Sequence, residues 1–122
     1  MIPFRNLHVK IIAAFIVLAA LSSVALAQSG RSWMNGFVLD ESDTNGISGA
    51  TVELIGDQDN ARLRSVHLTA KTDERGKYSF TQVPYGDYTF RVSADGFTPY
   101  EVKIYMLSDS LTELHVKLRK AR

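Results

Sequence analysis

The chain has 122 residues, 45% of them apolar and 22% charged, a composition that fits one folded domain and excludes a disordered or collagen-like chain or a pair of domains. It contains no cysteine, which excludes disulfides, thiolate metal sites and cysteine nucleophiles together. A formal charge of +1 lacks the basic footprint that nucleic-acid binding requires.

Residues 1–10 carry Arg5 and Lys10 and no acid, residues 11–20 are wholly apolar, and Ala25-Leu26-Ala27 follows a short stretch of small residues. A positive start, an apolar helical middle and a small-residue end are the three parts of a secretory signal peptide, with cleavage expected between Ala27 and Gln28. The apolar run of 16 residues to Leu26 is shorter than the roughly 20 that span a bilayer. A lipoprotein would need a cysteine just after the cut, where Gln28 stands. The expected product is a free protein, secreted or periplasmic, with no membrane attachment after cleavage. It keeps 12 bases against 13 acids, a net charge of −1.

From Gly36 onward turn signals recur, at Gly36, Gly46, Gly56, Gly76, Gly86 and Gly96, about the interval of a sandwich or barrel. Between them apolar residues alternate with polar ones, the period of a strand whose successive side chains leave opposite faces. The expected strands are residues 32–40, 50–55, 66–71, 77–81, 87–93, 101–106 and 114–118, seven in all. No window sustains helical spacing over three turns. Turn chemistry supports the boundaries: Asp73-Glu74-Arg75-Gly76 offers a glycine for positive φ, Val83-Pro84-Tyr85-Gly86 a fixed φ, and Ala94-Asp95-Gly96 a third reversal. An all-β, two-layer antiparallel sandwich is the economical arrangement. Tyr78, Phe80, Tyr88, Phe90 and Val92 share parity on two strands joined by the short Pro84 turn, and are expected to form one aromatic face of its core.

The ordered set Gly36, Val38 and Asp40; Gly49, Ala50 and Val52; Thr72, Asp73, Gly76, Tyr78 and Phe80; Pro84, Gly86, Tyr88 and Val92; and Gly96, Phe97 and Pro99 resembles the pattern of the carboxypeptidase regulatory-like domain family. The resemblance implies a seven-stranded Greek-key, transthyretin-like β-sandwich over residues 36–118. Residues 1–27 would then be the leader, 28–35 a lead-in and 119–122 a basic tail. It also implies an accessory module without catalysis of its own, since the matched residues are turn formers and inward aromatics. Residues 56–65 lengthen one connection relative to the pattern, which leaves the register of the third strand open.

No catalytic, cofactor-binding or metal-binding residues are expected, and no cofactor. The similar hydrolase of 5-hydroxyisourate needs histidines, an arginine and a Tyr-Arg-Gly-Ser ending, whereas this sequence ends Leu118-Arg119-Lys120-Ala121-Arg122. Only His67 and His115 follow the leader, each on an alternating stretch that places it outward. Neither zinc-peptidase histidine spacing nor a serine-hydrolase elbow occurs. Asp40, Glu41, Asp43 and Asn45, and Asp57, Asp59 and Asn60, form two oxygen-rich loops. Read as an EF-hand, the first puts Val52 where a bidentate glutamate belongs. Acids capping their own turns are the favoured reading.

The remaining signal lies in the first strand. If Val38 faces the core, Trp33, Phe37 and Leu39 face outward, and a strand apolar on both faces is unusual where one face meets water. Either residues 56–65 fold over the patch, or Trp33, Phe37 and Leu39 form a surface for a protein partner or for self-association, beside a sheet edge open to strand pairing. The corresponding function is a structural or protein-interaction module of the cell envelope or extracellular space. The alternative is a carbohydrate-binding sandwich using Trp33, Tyr85, Tyr100 and Tyr105 as stacking platforms.

Overall fold

The computed structural model describes residues 31–122, so the expected leader helix and the junction between Ala27 and Gln28 lie outside the described residues. Eight strands are found among the described residues: β1 (Arg31–Asp40), β2 (Thr51–Gly56), β3 (His67–Lys71), β4 (Lys77–Pro84), β5 (Gly86–Ser93), β6 (Tyr100–Met106), β7 (Leu111–Glu113) and β8 (Val116–Leu118). The first begins at Arg31, so most of the expected lead-in is already sheet. One sheet runs β3-β2-β5-β6, antiparallel throughout. In the other, β1 is central, with β4 antiparallel on one side and β7 and β8 in succession on the other.

The all-β sandwich agrees with the sequence reading, and three details depart from it. Of the expected last strand, 114–118, only Val116–Leu118 is strand, and an unexpected piece, Leu111–Glu113, precedes it with Leu114 and His115 between. Both pieces pair with β1 in parallel, Trp33 opposite Leu111 and Val38 opposite Val116. The third departure concerns the Pro84 turn: β4 and β5 belong to different sheets, so the turn is a crossover and not a hairpin. The five predicted core residues are all buried, but they form two faces that meet across the core. The Tyr78 ring of β4 lies 5.8 Å from the Phe90 ring of β5 and 6.0 Å from Phe80, edge on, separations at which aromatic pairs attract beyond their buried area.

The open register of the third strand is resolved by an unbroken ladder from Thr51 opposite Lys71 to Ile55 opposite His67. The long connection before it does not reach the outer face of β1. It turns inward beside the start of β5, where Leu63 is fully buried. Gly86 makes room for it, since a Cβ there would strike Leu63 Cδ1. The Arg62 guanidinium sits 4.1 Å from the centre of the Tyr85 ring, within cation–π range.

Asp73 illustrates how a turn is held. Its Oδ1 accepts the N–H groups of Arg75 and Lys77, both at 2.9 Å, while Gly76 takes φ 85°, a conformation glycine adopts without the Cβ penalty. Thr72, buried next to it, accepts the Ala50 N–H at 2.8 Å and donates to the Ile47 carbonyl at 2.5 Å. One threonine therefore ties the entry to β2 to the exit of β3.

Burial predicts the effect of substitutions on adjacent residues of β5. Phe90→Ala should cost about 3 to 5 kcal/mol, a large part of a small domain's stability, whereas Arg91→Ala, exposed on the other face, should change little. Urea unfolding of the two variants checks this; equal losses would mean a register displaced by one residue.

Candidate functional site

On the outer face of β1 the side chains alternate as expected: Met34 and Val38 are buried in the core, and Trp33, Phe37 and Leu39 lie on the opposite face. Their surroundings differ. Trp33 is 48% exposed. Its neighbour in the parallel ladder is Leu111, which is 57% exposed. The loop before β7 is held against the start of β1, because buried Ser32 donates its hydroxyl to the Leu107 carbonyl and the Trp33 N–H donates to the Ser110 carbonyl at 2.9 Å. That loop carries Leu107, 61% exposed. Trp33 and Leu111 are thus displayed side by side on one sheet, and Leu107 is exposed on the loop fastened to the start of β1.

Phe37 and Leu39 are half-buried. The Phe37 ring stacks on His115 with centroids 5.7 Å apart, and its N–H donates to His115 Nδ1 at 3.1 Å. Leu39 is flanked by Lys117 of β8 and by Gly46, with which it forms an isolated bridge. The cover over Phe37 is therefore the interruption between β7 and β8, not residues 56–65. β1 is the central strand of its sheet, whose edges are β4 and the β7 and β8 pair. Of the expected trio, Trp33 is the exposed member, and its companions are Leu107 and Leu111. Both leucines punctuate the otherwise polar run Leu107-Ser108-Asp109-Ser110-Leu111, a signal that could have marked them.

The four aromatic residues considered as sugar platforms do not converge. Trp33 is on β1 and Tyr105, 56% exposed, is on β6 of the other sheet. Arg62 occupies one face of Tyr85, and Tyr100 packs edge on against Phe90 at 6.4 Å.

Four side chains of the oxygen-rich loops bond back to their own turns, and Glu41 pairs with Arg119. Asp40 Oδ1 accepts both the backbone N–H and the hydroxyl of Ser42, at 2.9 and 2.7 Å. Asp43 caps Asn45 N–H, Asp57 caps Asp59 N–H, and Asn60 caps Arg62 N–H. Each is a side chain bonding the backbone two residues on, the Asx turn. His67 pairs with Glu53 at 2.8 Å on the exposed face of the other sheet, far in topology from His115. Among the described residues no three His, Asp or Glu side chains come together as a metal site.

Two carboxyls are displaced from their ordinary value. The Ser42 hydroxyl and N–H, followed by Lys120, hold Asp40 low against some desolvation. The N–H groups of Lys77 and then Arg75 hold Asp73 low. Burial pushes the phenols of Tyr78 and Tyr88 up; their hydroxyls donate to the carbonyls of Leu114 and Pro84, at 2.5 and 2.6 Å.

The carboxypeptidase regulatory-like domain family matches residues 34–119, nearly the whole span over which these turns and ladders run. The chain belongs to that family. A stretch of 60 residues, 48% of the chain, is 41% identical to part of colossin-A of Dictyostelium discoideum, a part that rounds to 0% of that protein's length. Among solved structures, catechol 1,2-dioxygenase of Pseudomonas arvilla C-1 superposes with a TM-score of 0.61 at 14% identity, over 78% of this chain and 54% of that one. A candidate carbohydrate binding protein of Bacteroides uniformis gives 0.56 at 18%, over 73% and 41%. BcpA, the major pilin subunit of Bacillus cereus, gives 0.57 at 16%, over 75% and 31%. At such identities the likeness is one of fold. The chain spans less than two thirds of each of these proteins.

The depressed carboxyls fix the sign of an acid response. For Asp40 and Asp73 the unfolded chain binds the proton first, so their contribution is complete above the ordinary carboxylate value of 3.8 and is lost as pH falls through the lower folded value. The melting temperature should therefore drop on acidification across that window, and Asp73→Asn should flatten the drop; an unchanged acid limb in a thermal melt series would contradict the assignment.

Proposed function

We propose that this chain is a non-catalytic structural or protein-interaction module that works outside the cytoplasm, secreted or periplasmic after cleavage between Ala27 and Gln28, and that it holds a protein partner through the face around Trp33. The observation that carries the reading is the grouping of Trp33, Leu107 and Leu111, each about half exposed or more, on elements pinned by backbone hydrogen bonds. An apolar cluster of this kind on a rigid sheet suits association, and tryptophan is the residue type most enriched among interface hot spots.

Membership of a regulatory-like family agrees with an accessory role. Both histidines and several carboxylates, among them Asp40, Glu41, Glu53 and Asp73, are engaged in pairs, caps and stacking, the uses of a structural surface. The same fold occurs within a part of the major pilin subunit of Bacillus cereus, which is compatible with a structural role. It also occurs in a candidate carbohydrate binding protein. Trp33 alone could stack on a sugar, but a single ring without converging polar groups is a poor sugar site.

The test is the double change Trp33→Ser and Leu111→Ser, with binding of an identified partner measured by calorimetry and a glycan array run in parallel. Loss of a tryptophan hot spot should weaken the partner complex by roughly thirtyfold or more while the melting temperature stays within about 2 °C. Glycan binding abolished by the same change would support the sugar reading instead. Collapse of stability in both single variants would show that these side chains are core.

A further inference from the structure

A second association surface is written into the edge of the other sheet, and it is independent of Trp33. An uncovered strand edge offers a row of unpaired N–H and C=O groups to another chain, and proteins usually blunt such edges with prolines, bulges or brevity. Three of the edges here are blunted. β4 carries a register shift opposite Ser32 and Met34, Gln82 at φ 56° and Pro84 at its end. The edge made by β7 and β8 consists of two three-residue pieces, and β3 has five residues.

β6 is different. Its seven residues pair with β5 without a break, from Tyr100 opposite Val92 to Met106 opposite Gly86. It contains no proline and no residue of positive φ, and its second edge has no strand beside it among the described residues.

Two further features of β6 specify what would pair there. The side chains that point into the sandwich, Tyr100, Val102 and Ile104, are only half-buried, because the sheet opposite them is three strands wide against their four. On the outer face stand Glu101 and Lys103, both exposed and without an ion-pair partner among the described residues.

We infer that two copies of this chain pair through β6, antiparallel about a twofold axis at Val102, and so join two four-stranded sheets into one. In that register Glu101 of each copy faces Lys103 of the other, Val102 faces Val102, and Tyr100 faces Ile104. Directly opposite residues share a face and interact strongly, favourably for opposite charges and unfavourably for like charges. The nearest registers that keep every side chain on its own face differ by two residues. One sets Lys103 against Lys103, and the other sets Glu101 against Glu101. Charge therefore selects the register, and the half-buried Tyr100, Val102 and Ile104 gain the cover that their own molecule does not supply. Pro99, which has no N–H to donate, ends the ladder just beyond Tyr100.

The test uses protein expressed from the full 122-residue sequence and sedimentation equilibrium over a concentration series. The wild type should be a concentration-dependent dimer that weakens with salt. Lys103→Glu and Glu101→Lys should each raise the dimer dissociation constant by roughly tenfold or more, since each turns two attractive contacts into repulsive ones. Mixing the two single variants should form a one-to-one heterodimer, because the Lys103→Glu chain then presents two carboxylates at these positions and the Glu101→Lys chain two ammonium groups. The double variant carrying both changes should regain the wild-type dimer; variants at 101 set a lysine opposite Arg91 of β5 and should melt slightly lower, whereas Lys103→Glu, opposite Thr89, should leave the melting temperature unchanged. A wild type monomeric up to about 0.5 mM, single variants that dimerise like the wild type, or a mixture that forms no heterodimer would each overturn the inference. Trp33→Ser should leave the dimer intact; a dimer lost through Trp33→Ser and not through the charge reversals would assign self-association to the other face.

Discussion

The arrangement of the first sheet depends on one close approach. Tyr78 rises from β4 through the core and donates its hydroxyl to the Leu114 carbonyl at 2.5 Å, above Gly36 of β1. A Cβ at Gly36 would strike that carbonyl and stand 3.0 Å from the Tyr78 hydroxyl, so only glycine admits both groups. A buried phenol needs a partner, and a carbonyl turned away from its ladder needs a donor. The bond satisfies both. It also interrupts the last strand at Leu114 and His115, which splits β7 from β8.

Several features of the surface follow. With the strand interrupted opposite Gly36, His115 is free to stack on Phe37 and to accept its N–H, which covers one of the outward aromatics. The β7 piece runs beside the first half of β1 and sets Leu111 next to Trp33, while the preceding loop is fastened by Ser32. The exposed apolar cluster is thus the consequence of a core tyrosine and a glycine that never reach the surface. The other sheet owes nothing to this device. Its register comes from two uninterrupted antiparallel ladders on either side of β5, and its excess width leaves β6 only half covered.

Some features of this fold are written in single strands and others only in how the strands meet. Parity along a strand is legible, because period-two alternation directly reports which face a side chain takes; the burial of Tyr78, Phe80, Tyr88, Phe90 and Val92 and the outward turn of Trp33 follow from it. Parity does not report which sheet a strand joins. Val83-Pro84-Tyr85-Gly86 is as suitable for a crossover as for a hairpin, so two aromatic faces read as one. Leu114, Val116 and Leu118 share parity and look like a single strand; the interruption is imposed by Tyr78, 36 residues away in sequence. Leu111 cannot be matched to Trp33 until the parallel pairing is known. The acid-rich loops are legible as Asx turns, since the bonding partner lies two residues along the same chain.

The central claim is that the hydrogen bond from Tyr78 to Leu114 sets the interrupted strand and, through it, the outer face of β1. Amide hydrogen exchange of Tyr78→Phe tests it most directly, since the change deletes the hydroxyl alone. Exchange should quicken selectively at the amides of Trp33, Phe37 and Leu114, which bond respectively to the Ser110 carbonyl, to His115 Nδ1 and to the Asn35 carbonyl, while the amides between β2 and β5 keep their protection. Unaltered exchange at those three amides, or an equal loss across both sheets, would contradict it.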